Sequence, residues 1–285
     1  GMYFAKQDQP PPAATAGSAG PSYAGGFKAE GAAAEAVKAG VASGNIKAVA
    51  GAAGEAVIVV KDGESIQAAV KRAAPGTTIQ ILPGTYHETV YIDKDNVRLI
   101  GVIDQGRRAV LDGEGKLNDA ILYSGNNFVV ENLGIRNYKG NGVMGQAGNN
   151  FEIRNNVIVD TGVYGIFPQL GQNGVVEHNV VSGIEDAAIY VGMSDNVHVA
   201  HNDVFDSVAG IEIENSRHAI VENNYVHNNT GGILAFVTPG LPIKTTSDVI
   251  IRHNFIVGNN HDNFGAPGST VAGIPPGTGV LIMAA

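Results

Sequence analysis

Five segments of this chain superpose as strings: FEIRNNVIV from Phe151, GVVEHNVVS from Gly174, VHVAHNDVF from Val197, AIVENNYVH from Ala219 and VIIRHNFIV from Val249. Each carries an asparagine at the same place, Asn156, Asn179, Asn202, Asn224 and Asn254, at spacings of 23, 23, 22 and 30 residues. Short β-rich segments repeating with a period in the low twenties constrain a chain to a solenoid, in which each repeat packs only on its neighbours. Parallel strands stacked ~4.8 Å apart bring equivalent residues over one another. The five asparagines are therefore expected to form an inward structural ladder, bonding to each other and to turn backbone, because burial would otherwise strand their polar groups.

A rung of three strands can be read from Asn118 onward. Its first strand opens at Ala120-Ile121, Gly142-Val143, Gly165-Ile166, Ala188-Ile189, Gly210-Ile211, Gly232-Ile233 and Gly279-Val280; its second precedes the repeated Asn and its third follows it. Upstream, Val57 to Val60, Thr78 to Leu82, Thr89 to Ile92 and Val97 to Ile100 read as strands, with Pro83-Gly84 and Asp95-Asn96 as turns. Ser65 to Ala73 reads as a short amphipathic helix stopped by Pro75-Gly76. Its position suits a cap, since an uncovered first rung exposes both core and strand edge. Residues 1–55 are rich in Ala, Gly and Pro and read as a low-complexity leader, whereas 56–285 read as the solenoid domain. Two insertions interrupt the repeat, Val237 to Ser247 between first and second strands and Gly258 to Thr278 between third and first. Both flank the first sheet, and long loops on a repeated frame commonly carry function.

Charge and composition narrow the function. Twenty-seven acidic against 18 basic residues, a net charge of −9 without a basic block, argue against nucleic acid and anionic membranes as partners. The absence of cysteine excludes disulfides, thiolate metal sites and cysteine nucleophiles. No apolar run reaches the length of a membrane span. Gly1 ahead of Met2 reads as a cloning remnant and Tyr3 to Gln9 lacks the apolar core of a secretory signal, which is compatible with a signal trimmed ahead of this sequence. Gly279 to Met283 reads as a strand beginning a new rung, so the C-terminal edge reads as cut.

The repeated Asn and three-strand rung, from about Val57 to Ala285, resemble the right-handed parallel β-helix superfamily of pectate lyases, pectin methylesterases, mannuronan epimerases and accessory proteins of the nitrous-oxide reductase type. The late loop from Asn259 to Gly279 is similar to one in bacterial β-helix repeat proteins of secreted or lipid-anchored location. The resemblance implies an all-β, right-handed, single-stranded parallel β-helix and an extracytoplasmic protein, periplasmic, secreted or lipid-anchored before processing, working on or near polysaccharide. PGTYHETVYI from Pro83 resembles the opening motif of pectin methylesterases, although Tyr86 and Val90 read equally as core and Glu88 as support for a turn. The paired aspartates of that family, the acidic triplets and His-Gly of polygalacturonases and the Asp-Pro-His of epimerases have no counterpart here. The fold carries over and no catalytic residue does.

Strand alternation assigns faces. On the first sheet Ile121, Val143, Ile166, Ile189, Ile211, Ile233 and Val280 should point inward, leaving Leu122, Met144, Phe167, Tyr190, Glu212, Leu234 and Leu281 outward, with Phe236 one step along. Three readings of this apolar stripe stand open: packing beneath the chain's own leader or loops, sugar stacking on Phe167, Tyr190 and Phe236, and a protein partner lying in the groove. Asp186 and Glu212 are the candidate catalytic carboxylates, with His261 as a base and Asp262 beside it as a ligand contact. In register, Asp186 and Glu212 fall in adjacent turns about four residues apart along the strand, ~13 Å. Elimination on a uronate needs cations, and the stripe has no Arg or Lys. On the second sheet Glu131, Arg154 and Glu177 read as a solvated charge ladder. His178 and His201 precede the repeated Asn in neighbouring rungs; stacked imidazoles there can be read as metal ligands or as a turn ladder of neutral histidines, and the turn ladder is the reading adopted, so no metal site and no cofactor is expected.

These readings make the chain an extracytoplasmic protein that binds a glycan or another extracytoplasmic protein along the first-sheet groove, without strong catalysis. The alternatives are a polysaccharide-active hydrolase, lyase or epimerase-like enzyme, and a structural scaffold in a secreted assembly.

Overall fold

The computed structural model describes residues 56–283; the leader, 1–55, lies outside the described residues. They form a right-handed parallel β-helix of three sheets, with nine, eight and eight strands. All registered strand pairs are parallel, and each strand bonds to its equivalents one rung before and one rung after. The first sheet runs from Val90–Ile92 to Thr278–Met283, the second from Val57–Val60 to Ile250–Arg252 and the third from Gly84–Tyr86 to Phe255–Val257. Gly84, expected in a turn, instead opens the first strand of the third sheet. The three-strand rung is thus in place well before Asn118.

Register confirms the inward column. Ile121, Val143, Ile166, Ile189, Ile211 and Ile233 pair in succession and are fully buried, with Val280 in register on the outermost strand and exposed. The glycines and alanines before them face inward too: a Cβ on Gly165 would stand 2.4 Å from Val181 Cγ1, and one on Gly142 3.0 Å from Ile158 Cγ2. The small residue lets the third sheet approach the first, which explains the repeated Gly-Ile and Ala-Ile pairs.

At the corner between second and third sheets, each asparagine amide spans two rungs. Asn156 Nδ2 donates to Asn179 Oδ1 at 3.1 Å, Asn179 to Asn202 at 3.1 Å, Asn202 to Asn224 at 3.0 Å and Asn224 to Asn254 at 2.9 Å. The same Oδ1 atoms also accept the backbone N–H of the previous asparagine, and each Nδ2 donates a second bond to a strand carbonyl, such as Ile153 O for Asn179. The residue before each of these asparagines is left-handed: Asn155, His178, His201, Asn223 and His253 all have φ of 54–55°. Asn and His are among the side chains that tolerate this region best, so the corner geometry selects the Asn-Asn and His-Asn pairs of the repeat.

The helix spans Ile66–Arg72 and buries Ile66, Ala69 and Val70 against the first rungs. Both ends are held by charged side chains from the next rung. Glu88 accepts from the backbone of Ile66 at 3.0 Å and Gln67 at 2.8 Å, while Lys94 Nζ donates to the carbonyls of Val70, Lys71 and Ala73 at 2.7–2.8 Å. The signs match the partial charges of the helix ends. Glu88 therefore caps a helix and does not merely support its own turn. Gln67 completes the cover: its side chain accepts from Tyr91 N at 2.6 Å and donates to Tyr91 O at 3.3 Å, standing in for the strand missing from that edge of the first sheet.

The groove on the first sheet

The outward face of the first sheet is a second hydrophobic cluster, separate from the core inside the coil. Met144, Phe167, Tyr190 and Leu234 form its spine in register, with Glu212 between Tyr190 and Leu234. Phe167 and Tyr190 are each 1% exposed and Glu212 2%. Leu241 and Ile243 from the first insertion, and Phe264, Val271 and Ile274 from the second, pack into the same cluster. Asn215 fixes the first insertion by donating to Thr238 O at 2.9 Å and Ile243 O at 2.7 Å. Asn263 folds the second, donating to Val271 O at 2.8 Å and Ile274 O at 2.9 Å. The two loops thus flank the groove as their positions in the repeat require, and their apolar residues turn toward it.

The rings in the groove pack on each other. Tyr164 stacks on Tyr190 with centroids 4.4 Å apart, and Phe167 meets Tyr164 and Tyr190 edge-on at 4.7 and 4.8 Å. Phe236 lies on the neighbouring column, in register with Glu214, and is buried. A sugar stacks on an open ring face; Phe167, Tyr190 and Phe236 have almost none in this arrangement.

Glu214 is a second buried carboxylate on the same face, two residues beyond Glu212. The Tyr190 hydroxyl donates to Glu214 Oε1, and Thr238 Oγ1 to its Oε2 at 2.8 Å. Two rungs and one insertion are tied at this point. The period-two alternation that exposes Glu212 also exposes Glu214, so the sequence held the signal; Tyr164, at the start of its strand, was harder to place. Asp186 is buried just before strand Ala187–Gly192, and pairing of Tyr190 with Glu212 puts it four positions behind Glu212 in the adjacent rung. At ~13 Å by strand rise the pair is wider than the roughly 6.5–9.5 Å of an inverting hydrolase.

His261 lies at the corner leading into the first sheet, its N–H bonded to Asn229 O at 3.1 Å. Its Nδ1 is 2.7 Å from the main-chain carbonyl of Asp262, not from the carboxylate, and its ring meets Phe264 edge-on at 5.1 Å. A carbonyl only accepts, so Nδ1 is the donor in this contact. The Asp262 side chain is exposed. The two residues are adjacent without forming an acid–base pair.

On the far side of the coil His178 and His201 stack face to face, 4.8 Å between centroids and 8° between planes. Burial, then the neighbouring His201, lowers the pKa of His178. Lone pairs of stacked imidazoles lie in parallel ring planes and do not converge on one ion. Among the described residues no three His, Asp or Glu side chains are grouped to hold a metal. Arg154 bonds Glu177 at 2.5 Å and Glu152 at 2.9 Å, with Glu131 at 3.6 Å, a surface charge network.

Comparison with known proteins adds a family and a set of shapes. The family model described as "Periplasmic copper-binding protein (NosD)" matches residues 86–270. No curated protein matches the chain. Among solved structures, the family 28 exopolygalacturonase of Yersinia enterocolitica superposes with a TM-score of 0.52 at 10% identity, over 82% of this chain and 69% of that one. A mutant tailspike protein of an E. coli bacteriophage, solved in complex with a pentasaccharide, gives 0.52 at 11% identity over 80% and 47%. Such identities speak to the fold alone.

Proposed function

The chain belongs to the NosD family of periplasmic proteins, and from that premise we propose that it works outside the cytoplasm by holding an extended segment of another extracytoplasmic protein in the groove of its first sheet, without strong catalysis. The observation that carries this reading is the groove floor. Tyr164, Phe167 and Tyr190 spend their faces and edges on one another within an apolar cluster closed in by both insertions. What the cluster leaves accessible are its partly buried apolar residues, among them Leu122, Ile243, Phe264 and Leu281, which suit apolar side chains; a sugar needs free ring faces and a rim of unengaged polar groups. Hydrolysis is disfavoured by the offset of Asp186 from Glu212 and by the engagement of Glu214 with Tyr190 and Thr238.

Copper is the metal in the family's description. It takes thiolate, thioether and imidazole ligands. The chain has no cysteine, Met144 and Met193 are buried in the groove cluster, and His178 and His201 stack in parallel planes. The described residues do not fit a resident copper centre, and no step of the proposal runs through one.

A glycan array probed with the full chain and with Tyr190→Ala tests the reading. The expected result is no glycan whose binding depends on Tyr190; a glycan bound by the parent and lost in the variant overturns it in favour of a carbohydrate groove.

A further inference from the structure

At the corner between second and third sheets, two of the left-handed positions that precede the buried asparagines hold imidazoles in direct contact. His178 is half-buried and His201 exposed, and their rings lie 4.8 Å apart with 8° between planes. The backbone beside them belongs to the column that ties the coils together. His178 N–H donates to Ala200 O at 3.2 Å, and the next amide, Asn179 N–H, donates to Asn202 Oδ1 at 3.0 Å. The same position holds Asn155 one rung earlier and Asn223 one rung later. The charged groups that face the pair come from the second sheet. Glu177, whose charge raises the pKa of His178, and Arg154, whose charge lowers it, are bonded to each other at 2.5 Å. Farther along the corner Arg108 donates to Asn155 O at 3.3 Å, and Glu222, in register with Ala200, is held by His198 and Arg252, with His253 beyond it.

We infer that His178 and His201 form an acid-sensitive latch: the second proton taken up by the pair parts the rings and loosens this corner of the coil while the other rungs stay folded. One neutral and one charged imidazole stack favourably, but two imidazolium ions at this spacing repel. Parting the rings admits water to the backbone bonds that bracket them, His178 N–H to Ala200 O and Asn179 N–H to Asn202 Oδ1. Burial, then His201, holds the pKa of His178 below the ordinary imidazole value, so the unfolded chain takes up that proton more readily than the folded one. The stability this gives is present above about pH 6.5 and is lost as pH falls through the lower, folded value. Asp160, just past the strand Val157–Val159 at the other edge of the third sheet, responds in the opposite sense, since its pKa is raised to about 6. Acid therefore weakens one edge of this sheet while it strengthens the other, which keeps the response local. The latch is independent of the first-sheet groove, because its rings stand at a different corner.

The test is NMR on the full chain from about pH 8 to about pH 4.5, following the imidazole shifts and the exchange of backbone amides. The variants are His201→Asn and the double variant His178→Asn with His201→Asn. Asparagine stands at the same corner at Asn155 and Asn223, so both variants keep the left-handed backbone. His201→Asn is expected to raise the titration midpoint of His178 toward the ordinary imidazole value. In the parent the amides of His178 and Asn179 should open roughly tenfold more often near pH 5 than near pH 7.5, after correction for intrinsic exchange, and the double variant should lose this difference. The inference is overturned if His201→Asn leaves the His178 midpoint in place or if the corner amides open alike in parent and double variant. It is equally overturned if acid speeds exchange in all strands together, because the response is then global unfolding.

Discussion

Asn202 Oδ1 accepts two bonds from Asn179, one from its backbone N–H at 3.0 Å and one from its side-chain amide at 3.1 Å, while Asn202 Nδ2 donates to Val176 O at 3.0 Å. Replacing Asn202 by alanine takes these bonds from Asn179 N–H and Val176 O in a dry corner and leaves Asn179 Nδ2 with only its bond to Ile153 O. A stranded buried polar group costs ~1–3 kcal/mol. Asn202→Ala is therefore expected to lose about 2–4 kcal/mol in urea denaturation, and Asn254→Ala, whose corner is partly solvated, about 1 kcal/mol. Equal losses at the two positions would contradict the burial argument.

The Tyr190 hydroxyl and Thr238 share Glu214. Tyr190→Phe keeps the ring stacked on Tyr164 but leaves half of a buried carboxylate without its donor. The expected loss is about 1–3 kcal/mol, accompanied by faster hydrogen exchange in residues 237–247, where Thr238 anchors the insertion. Unchanged exchange there would show that Asn215 alone holds the loop.

Asp160 carries a pH dependence of unusual sign. Burial, then the charges of Asp206 and Glu185, raises its pKa to about 6. Because the folded state holds the proton more tightly than the unfolded chain, it gains stability as pH falls from about 6 toward 4 and loses it as pH rises through that window. Asp160→Asn removes the penalty, and asparagine accepts the left-handed φ of 55° at this site. The variant should gain on the order of 1 kcal/mol at pH 7, allowing for partial solvent screening, with a flatter stability profile between pH 4 and 6. A variant no more stable than the parent at pH 7 would refute the assignment.

Glu88 reaches back from the next rung to accept the first N–H groups of the helix Ile66–Arg72. Glu88→Ala should cost about 1–2 kcal/mol, the loss of a helix cap. Hydrogen exchange should quicken in that helix and on the first-sheet edge at Tyr91, which Gln67 covers, while the strands of the middle rungs keep their protection.

The coil itself was legible because it is written many times. Five aligned asparagines and the small residue before each inward isoleucine fix register, and register alone placed Met144, Phe167, Tyr190, Glu212 and Leu234 in one column. Alternation says which way a side chain points, not what meets it there. The packing of Leu241, Ile243, Phe264, Val271 and Ile274 over that column depends on insertions that occur once and have no period. His178 and His201 carried a similar ambiguity, since residue type cannot distinguish a ligand from a side chain tolerated at positive φ. The stack of Phe205, His227, Tyr225 and Phe255 was missed for another reason: its rings come from three rungs and two columns, so no single repeat displays it.

The parallel register between neighbouring rungs also sets how the molecule bears load. Tension applied at the chain ends peels strands from the terminal rung while every interior rung keeps both of its neighbours. Extension should proceed in steps of one coil, each freeing about 23 residues or ~80 Å of chain, and the rungs joined by the column from Asn156 to Asn224 should yield at higher force than the coils near the helix, which lack that buried corner column. A protein built as a spring of equal turns has, in those few amides, its stiffest section.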